Sequence, residues 1–265
     1  MAWKRAVYIY FRLVTQHVKA ILEYQSDFLI AMAAAMVTQV LGFIFLWVVY
    51  QRIPHIQGWE FWEVAFIYAM MFFTTGFGQL FFEGAWRISG LVNSGMLDRV
   101  LLRPVSPVLQ VLGSAAGMNG LGNILVGGTM LIQSLRHVDI HWTAEKIFVG
   151  VILFFSAVVI RVSIFLASNC ITFWTHAPGN AFPNMISNLS EFSKYPISIY
   201  SFIIQVFFST LIPYAFISFF PAAYLFEKDN WHHIGLLTPL VAVYSAAAAF
   251  WIFRKGLAKY ESVGN

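Results

Sequence analysis

Six long apolar stretches constrain the fold of this chain more than any other feature. Each has about the 20 or more residues that a helix needs to cross a hydrocarbon core roughly 30 Å thick. Hydrophobic residues make up 59% of the sequence and charged residues 11%, whereas about a quarter of a soluble domain is charged. The sequence therefore predicts an all-α polytopic membrane protein, with six transmembrane helices in a single domain over residues 1–265. The stretches are Phe28–Tyr50, Phe61–Phe82, Val108–Ile132, Ile147–Trp174, Ile199–Phe226 and Ile234–Phe253.

The sequence lacks the motifs of several common catalytic and binding sites. Neither a GxxxxGK[ST] phosphate loop nor an HExxH pair occurs. The single cysteine, Cys170, lies inside an apolar stretch and excludes an internal disulfide. The basic residues follow the ends of the apolar stretches instead of forming a patch, which argues against a nucleic-acid partner. We therefore expect no catalytic residue, no metal site and no cofactor on this chain.

The basic residues also predict the orientation in the membrane. With both termini in the cytoplasm, eleven of them lie on the cytoplasmic side and four on the outer side, while Arg161 falls within a stretch. Placing Lys194 outside instead gives ten against five, and the positive-inside rule still favours cytoplasmic termini. The cytoplasmic set is Lys4, Arg5, Arg12, Lys19, Arg87, Arg99, Arg103, Lys194, Arg254, Lys255 and Lys259; the outer set is Arg52, Arg136, Lys146 and Lys228.

Residues 1–23 are predicted to form an amphipathic helix on the membrane surface. Apolar residues recur at steps of three and four, with basic and polar residues largely on the other side. A plain basic flank of the first span is the alternative interpretation. The apolar stripe comprises Trp3, Val7, Tyr10, Val14, Val18 and Ile21.

The longest cytoplasmic connection, Glu83–Pro107, contains a predicted amphipathic helix over residues 84–104. Pro104 and Pro107 end it, because proline disrupts a helix interior. By periodicity alone this helix is either a linker on the membrane surface or a surface that presses on a cytoplasmic partner. In the next stretch, Gly113 and Gly117 form a GxxxG pair, which is typical of close helix packing or of a subunit interface.

Arg161 lies near the middle of the fourth stretch. An arginine at that depth costs at least ~2.5 kcal/mol on insertion scales, so it should face protein or water. In a functional role it contacts an anionic group of a substrate or forms a gating ion pair. In a structural role it donates to backbone carbonyls or lies nearer the membrane interface than the length of the stretch implies. Glu83 and Glu191 are its candidate partners in the sequence.

Residues 175–226 allow two interpretations. In the first, 199–220 is the fifth span. In the second, the polar residues 176–194 belong to a protein-covered fifth span, and 197–226 form a re-entrant hairpin. Pro213 and Pro221 interrupt the apolar residues 197–226. Irregular backbone at membrane depth requires cover by protein or a water-filled cavity.

Three motifs resemble those of a known family. Residues 95–104, GMLDRVLLRP, resemble a G-x-L-D-x-x-L-L-R-P signature, and Tyr195-Pro196 with Pro213 and Pro221 resembles a Y-P…P…P pattern. Residues 256–264, GLAKYESVG, resemble a G-L-x-x-Y-x-S-x-G tail. With the order of the helices, these motifs are similar to those of ABC-2-type permeases, the membrane subunits of ATP-binding-cassette exporters, in the branch formerly catalogued as a family of unknown function.

The resemblance implies partners for this chain. It implies separate cytoplasmic ATPase subunits that bind Mg-ATP, and a second permease that is either identical or different. It also implies that residues 84–104 are the coupling helix, which contacts the ATPase. The implied ATPase-coupling residues are Arg87, Leu91, Met96, Leu97, Asp98, Arg99 and Arg103.

The resemblance further implies a translocation pathway between two permeases, with the proline-broken segment as an outer gate. A lipophilic or amphipathic substrate would suit the apolar, aromatic interior. The location implied is the bacterial plasma (inner) membrane. Pathway candidates are Phe72, Phe73, Phe77 and Arg161, and the gate candidates are Pro213 and Pro221.

Two other classes of function compete with this one. A stand-alone secondary transporter or channel would show inverted repeats and several intramembrane acids, whereas the sequence has no convincing repeat and few such acids. A membrane assembly scaffold would require no pathway at all. We expect co-purification of an ATPase to distinguish the exporter subunit from both.

Overall fold

The computed structural model describes residues 2–23, 25–117, 119–175, 179–228 and 231–261, and these ranges contain helices and connections but no β-strand. Short 3₁₀ or π-helical turns link several of the helices. The α-helices are α1 Ala2–Glu23, α2 Gln25–Arg52, α3 Phe61–Phe82, α4 Ile88–Asn93, α5 Leu97–Leu101, α6 Pro107–Leu112, α7 Asn119–His137, α8 Ala144–Asn169, α9 Thr172–Thr175, α10 Ala181–Leu189, α11 Phe202–Val206, α12 Phe219–Leu225, α13 His232–Gly235 and α14 Thr238–Lys259.

Four helical segments in the described ranges are long and apolar enough to cross a membrane. They are Ser26–Arg52, Phe61–Asn93, Ala144–Thr175 and Thr238–Lys259. They correspond to the first, second, fourth and sixth predicted spans. The third and fifth predicted spans are not single apolar helices of membrane length.

The third apolar stretch is broken into α6 and α7. Pro107 begins α6, where its missing N–H costs nothing, and Gly113 ends it. The Gly117 amide then donates to the Gln79 carbonyl of α3 over 2.9 Å, which fixes the connection. Gly113 and Gly117 therefore do not share one helix face, and their interpretation as a GxxxG packing pair is wrong.

Glycines of α7 instead provide the close contact with α3. A Cβ atom on Gly127 would lie 2.7 Å from the Phe73 nitrogen, and one on Gly120 would lie 2.9 Å from the Gly76 carbonyl oxygen. No side chain fits at these distances, so glycine permits the two backbones to approach. Helices α3 and α7 form the tightest pair of the bundle and position the side chains of α3.

The fifth apolar stretch is irregular. Helix α11 continues as a π-helical turn, Phe207–Leu211, and ends at Pro213. Proline forces the preceding Ile212 into extended backbone, with φ −125° and ψ 90°. No single helix covers 199–220, so the structure has the short helices of the second interpretation. Three hydrogen bonds, from Ser193 to the Tyr214 carbonyl and from Tyr214 and Ser218 to the Ile186 and Ser193 carbonyls, attach this region to the segment before it.

The segment that contains α10 lies against α3 and α8. At its start, Ser89 donates to the Gly179 carbonyl and Asn180 donates to the Trp86 carbonyl. At its end, the Lys194 ammonium lies 4.8 Å from the ring centroid of Phe72, halfway along α3. The charge count placed Lys194 on the cytoplasmic or the outer side of the membrane. In the structure its ammonium instead lies beside the middle of α3, away from both ends of that span. Residues 176–178 lie outside the described residues.

The sequence predicted one helix over residues 84–104, and this prediction is wrong. A 3₁₀ turn, Glu83–Arg87, leads into α4, and Gly95 with φ +70° separates α4 from α5. Glycine adopts that conformation without the penalty that a side chain would add. We refer to residues 84–104 as the coupling segment.

A smaller hydrophobic core anchors the coupling segment to the bundle. Its inward residues are Ile88, Val92 and Leu97, each at most 1% exposed. They pack with residues of α6, the α8–α9 region and α14, which attaches the segment to those helices. The core contains Ala85, Ile88, Val92, Leu97, Val111, Leu112, Leu166, Cys170, Phe173, Ala249 and Phe253.

Residues 2–23 form the predicted N-terminal helix. The Tyr10 hydroxyl donates to the Phe81 carbonyl at the end of α3, and Val14 is buried. Burial and the charge of Arg87 lower the pKa of His17, so α1 also lies near the coupling segment. The predicted contact of α1 with the membrane surface stays a prediction.

Candidate functional site

A polar cavity of about 230 Å³ lies between α3, α8 and the α10 segment. The 3₁₀ turn before α4 also borders it, so the cavity adjoins the coupling segment. Polar cavities inside apolar bundles are costly, and they mark the sites where such proteins bind or move something. Its polar lining residues are Thr75, Gln79, Glu83, Asn123, Arg161, Ser187, Asn188, Ser190 and Glu191.

Arg161 is the central charge of this cavity. It lies near the middle of the Ala144–Thr175 segment and is 3% exposed. Its Nη1 atom is buried without a hydrogen-bond partner, and among the described residues no acidic group forms an ion pair with it within 4 Å. Its guanidinium carbon lies 5.2 Å from the ring centroid of Phe165, a cation–π contact that compensates part of the desolvation.

Glu83 and Glu191, named from the sequence as candidate partners of Arg161, both line the same cavity. Glu191 forms an ion pair with Lys194, three positions further along the chain. Glu83 begins the 3₁₀ turn directly after α3, and no described lysine, arginine or histidine approaches its carboxylate within 4 Å. Among the described residues, neither Arg161 nor Glu83 therefore has an ion-pair partner within 4 Å, although the two attract each other across the cavity.

A chain of amide side chains connects three helices at the wall of the cavity. Gln39 of α2 donates to Asn123 of α7, and Asn123 donates to Gln79 of α3 over 2.6 Å. None of these three residues was among the predicted site residues. Their only sequence signal is that each is an amide within an apolar stretch, where a polar side chain needs a partner.

The predicted pathway phenylalanines point to two different places. Phe72 lines the polar cavity with Arg161. Phe73 and Phe77 instead contact Phe154 of α8, with centroids 5.1 Å away in both cases. The structure thus brings Phe72 and Arg161 together and separates them from Phe73 and Phe77.

Phe77 lines a second, apolar groove of about 590 Å³ between α1, α3, α8 and α14. The groove adjoins the polar cavity, because Phe82 and Val162 line both. A polar space and an apolar space therefore share one border in the bundle.

The two predicted gate prolines lie outside the polar cavity. Pro213 is at the turn that ends the π-helical segment, and Pro221 is in α12. Pro221 borders a third cavity of about 340 Å³ with Phe66 and Leu225. Tyr214, next to Pro213, nevertheless interacts electrostatically with Arg161.

Comparison with known proteins identifies the family. The family model described as "ABC-2 family transporter protein" matches residues 36–264. The chain belongs to the ABC-2 transporter family. Neither the curated proteins nor the solved structures give a significant match.

In this ABC-2 family protein, the match covers the coupling segment, the polar cavity and the C-terminal motif, and it begins after α1. Members of the family are transmembrane subunits, which accords with the apolar helices described above. Residues 262–264 of the C-terminal motif lie outside the described residues. Within the described ranges, no group of three metal-ligating side chains is close enough to hold an ion.

The coupling residues predicted for the ABC-2 protein differ in accessibility. Leu97 is an anchor in the smaller core, and Arg87 donates to the Ser114 carbonyl over 2.8 Å. Leu91 and Asp98 are half-buried, and burial together with the Asp98 carboxylate raises the pKa of Tyr260 near the C-terminal end. The exposed members of the predicted set are Arg87, Met96, Arg99 and Arg103.

Sequence reasoning missed two exposed leucines of this ABC-2 protein. Leu101 is 41% exposed and Leu102 is 85% exposed. They are the two leucines of the L-L-R-P part of the signature, and the pattern alone does not tell whether they face the bundle or away from it. Together with Arg99 and Arg103 they form a surface that mixes apolar and basic side chains.

Proposed function

We propose that the chain is the transmembrane permease subunit of an ATP-binding-cassette exporter in the bacterial inner membrane. It forms half of a translocation pathway together with a second permease, identical or different. Separate cytoplasmic ATPase subunits bind and hydrolyse Mg-ATP, and both termini of this chain are cytoplasmic. The substrate is lipophilic or amphipathic.

The observation that carries this proposal is the position of Glu83. It joins α3 to the coupling segment and also lines the cavity that contains Arg161. The coupling segment is in turn packed on the α8–α9 region, which follows Arg161 along the chain. A force applied to the coupling segment therefore changes the cavity directly, without a long relay of intervening residues.

The exposed side of the coupling segment supplies the surface for the ATPase. A docking surface needs apolar residues that lose water and charged residues that steer the approach. Leu102 and Leu101 provide the first, and Arg99 and Arg103 the second. The inward residues Ile88, Val92 and Leu97 keep this surface attached to the bundle.

ATP-driven closure of the ATPases would then shift the permease between two states. A partner changes such an equilibrium only through contacts that differ between the states. The differing contacts proposed here are those between the exposed face of the coupling segment and the ATPase. The irregular region 197–226 would form a re-entrant hairpin that closes the outer side.

A second permease fits the exposed faces of α2. Apolar side chains project from this helix on several sides, among them Leu41, Phe45 and Trp47. Such faces require either lipid or another apolar surface. We propose that lipid covers some of these exposed side chains of α2 and that the second permease covers the others.

The test is purification of the full-length chain from its native membrane in mild detergent. We expect a stoichiometric ATPase with a phosphate-loop motif. The double variant Leu102→Asp/Arg103→Glu should lower ATPase recovery about thirtyfold, the effect of losing a hot spot of about 2 kcal/mol. The matched control is Lys259→Glu, a charge reversal at an exposed position of α14. Purification without any ATPase, or equal recovery with both variants, would overturn the proposal.

A further inference from the structure

The polar cavity contains two side chains of opposite charge, which attract each other across the cavity but form no ion pair within 4 Å. Arg161 is 3% exposed and its Nη1 atom has no hydrogen-bond partner. Glu83 lines the same cavity without an ion pair within 4 Å among the described residues. Buried charges are usually paired, because an isolated one loses its hydration without compensation. The arrangement is therefore incomplete by itself.

The other charges at the cavity compensate each other. Glu191 is paired with Lys194, and the Lys194 ammonium also faces the Phe72 ring. No further lysine, arginine or acidic residue lines the cavity. A ligand that completes the site must then offer an anion to Arg161 and a cation to Glu83.

Aromatic side chains favour the cationic part of such a ligand. Phe72, Phe82, Trp86 and Phe165 all line the cavity. Aromatic faces attract ammonium and quaternary ammonium groups, most strongly where water is excluded. The lining thus suits a substituted ammonium group as well as the anion.

The dimensions select a headgroup and not a whole lipid. The cavity of about 230 Å³ is smaller than the roughly 300–1,000 Å³ of sites that enclose a complete drug-sized ligand. The apolar groove of about 590 Å³ adjoins it across Phe82 and Val162. A molecule with a polar head and an apolar tail would use both spaces.

We propose that the cavity binds the dipolar headgroup of an amphipathic substrate, with the anionic group on Arg161, the cationic group at Glu83 and the apolar tail toward the groove. This inference rests on the proposed function in taking the cavity as part of the pathway. It goes further in naming the charge pattern of the substrate and the two residues that recognise it.

The experiment compares three probes with the same eight-carbon tail. Octylphosphocholine carries both charges, octyl phosphate carries the anion, and octyltrimethylammonium carries the cation. Each is titrated, below its own micelle-forming concentration, into the purified full-length chain in nanodiscs. Binding is measured from the shift of the thermal unfolding temperature, because a ligand of the folded state stabilises it by an amount that grows with the logarithm of the ligand concentration relative to the dissociation constant.

We expect octylphosphocholine to bind about tenfold or more tightly than either singly charged probe. That ratio corresponds to the loss of one charge-assisted hydrogen bond. Arg161→Gln should make octyltrimethylammonium the preferred probe, and Glu83→Gln should make octyl phosphate the preferred probe. Arg161→Lys and Glu83→Asp should keep the wild-type order, as should the control Glu227→Gln at an exposed site.

Equal binding of the three probes to the wild-type chain would overturn the inference, and so would an order that neither charge variant changes. The first result would mean apolar binding alone, and the second would mean recognition elsewhere. The wild-type comparison decides the matter even if one variant does not fold. Since the measurement needs no ATPase, it fails or succeeds independently of the proposed exporter function.

Discussion

The two ends of α3 carry one glutamate each, and the two are held very differently. Glu63, in the first turn, is 8% exposed and lies 2.7 Å from the Lys228 ammonium. Its carboxylate also accepts a hydrogen bond from the Glu60 amide over 2.9 Å. Glu83, directly after the last turn, lines the polar cavity and has no ion pair within 4 Å among the described residues. Glu63 thus has a structural role in an ion pair, whereas Glu83 is available to a ligand in the cavity.

The surroundings of the two ends differ in the same way. Near Glu63, Lys228 also donates to the Gly58 carbonyl and lies 5.0 Å from the Trp59 centroid, and Lys146 pairs with Glu227 over 2.5 Å. Near Glu83 lie the polar wall of the cavity with Arg161, the neighbouring Ala85 of the smaller core, and the hydrogen bond from Tyr10 to the Phe81 carbonyl. Ion pairs therefore stabilise the predicted outer end of α3, whereas the glutamate at the predicted cytoplasmic end has no ion pair within 4 Å among the described residues.

The largest effect on stability is expected at the paired glutamate. Glu63→Gln leaves Lys228 without its anion and should lower the free energy of unfolding by about 2–3 kcal/mol, because removing one partner of a buried pair exposes the other to an uncompensated environment. The measurement is reversible unfolding in detergent micelles. Glu227→Gln is the matched control, since Glu227 belongs to a more exposed pair. An equal loss in both variants would contradict the structural role of Glu63.

The unpaired glutamate should behave in the opposite way. Glu83→Gln removes a buried charge that has no partner, so stability should change by less than about 1 kcal/mol. In the reconstituted complex with its ATPase, substrate-stimulated turnover should fall about tenfold, or about 1.4 kcal/mol. Normal turnover together with a large loss of stability would mean that Glu83 has a structural role, as proposed for Glu63, and would contradict the difference between the two ends.

A double-mutant cycle sharpens the assignment of the paired end. Glu63→Gln and Lys228→Met, alone and combined, should give a coupling energy of about 1–2 kcal/mol, because the two side chains contact each other directly. The same cycle on Glu83→Gln and Arg161→Gln should give a smaller coupling energy in the absence of substrate. A larger value for the second pair would mean that these charges already satisfy each other.

The smallest effect concerns pH. The hydrogen bond and the positive charge of Lys146 lower the pKa of Glu227 from its ordinary value of 4.5. A carboxylate with a lowered pKa stabilises the folded state above the unfolded pKa, and this contribution is lost as the pH falls through the folded value. Below about pH 4.5, Lys146→Met should therefore reduce the acid sensitivity of unfolding slightly. An unchanged profile would exclude a contribution of this exposed pair.

The sequence predicts the regular part of the fold well. The apolar stretches at α2, α3, α8 and α14 form helices because each has enough apolar residues in an unbroken run. The breaks depend on tertiary contacts: Gly117 is fixed by the Gln79 carbonyl, and Lys194 is accommodated beside Phe72. Hydropathy does not contain these contacts, and a span interrupted by them looks continuous in the sequence.

For the candidate site, the sequence indicates the charges but not their arrangement. Arg161, Glu83 and Glu191 stand out because charges are rare in apolar stretches. That Lys194 pairs with Glu191, while Glu83 has no ion pair within 4 Å, depends on how the 3₁₀ turn Ser190–Lys194 packs against α3. The exposure of Leu102 likewise depends on the turn at Gly95, which sets the direction of α5.

The central claim is that the polar cavity belongs to a pathway that the ATPase opens and closes. The most direct test is the labelling rate of Ser187→Cys, at the cavity wall, in a Cys170→Ala background. A water-soluble maleimide is applied to the reconstituted complex with and without trapped nucleotide, and Asp139→Cys, at an exposed position, serves as the control. We predict a labelling rate at position 187 that changes about tenfold or more between the two states, the scale of a conformational shift of about 1.4 kcal/mol, while the control stays constant. Equal rates at position 187 in both states would contradict the claim.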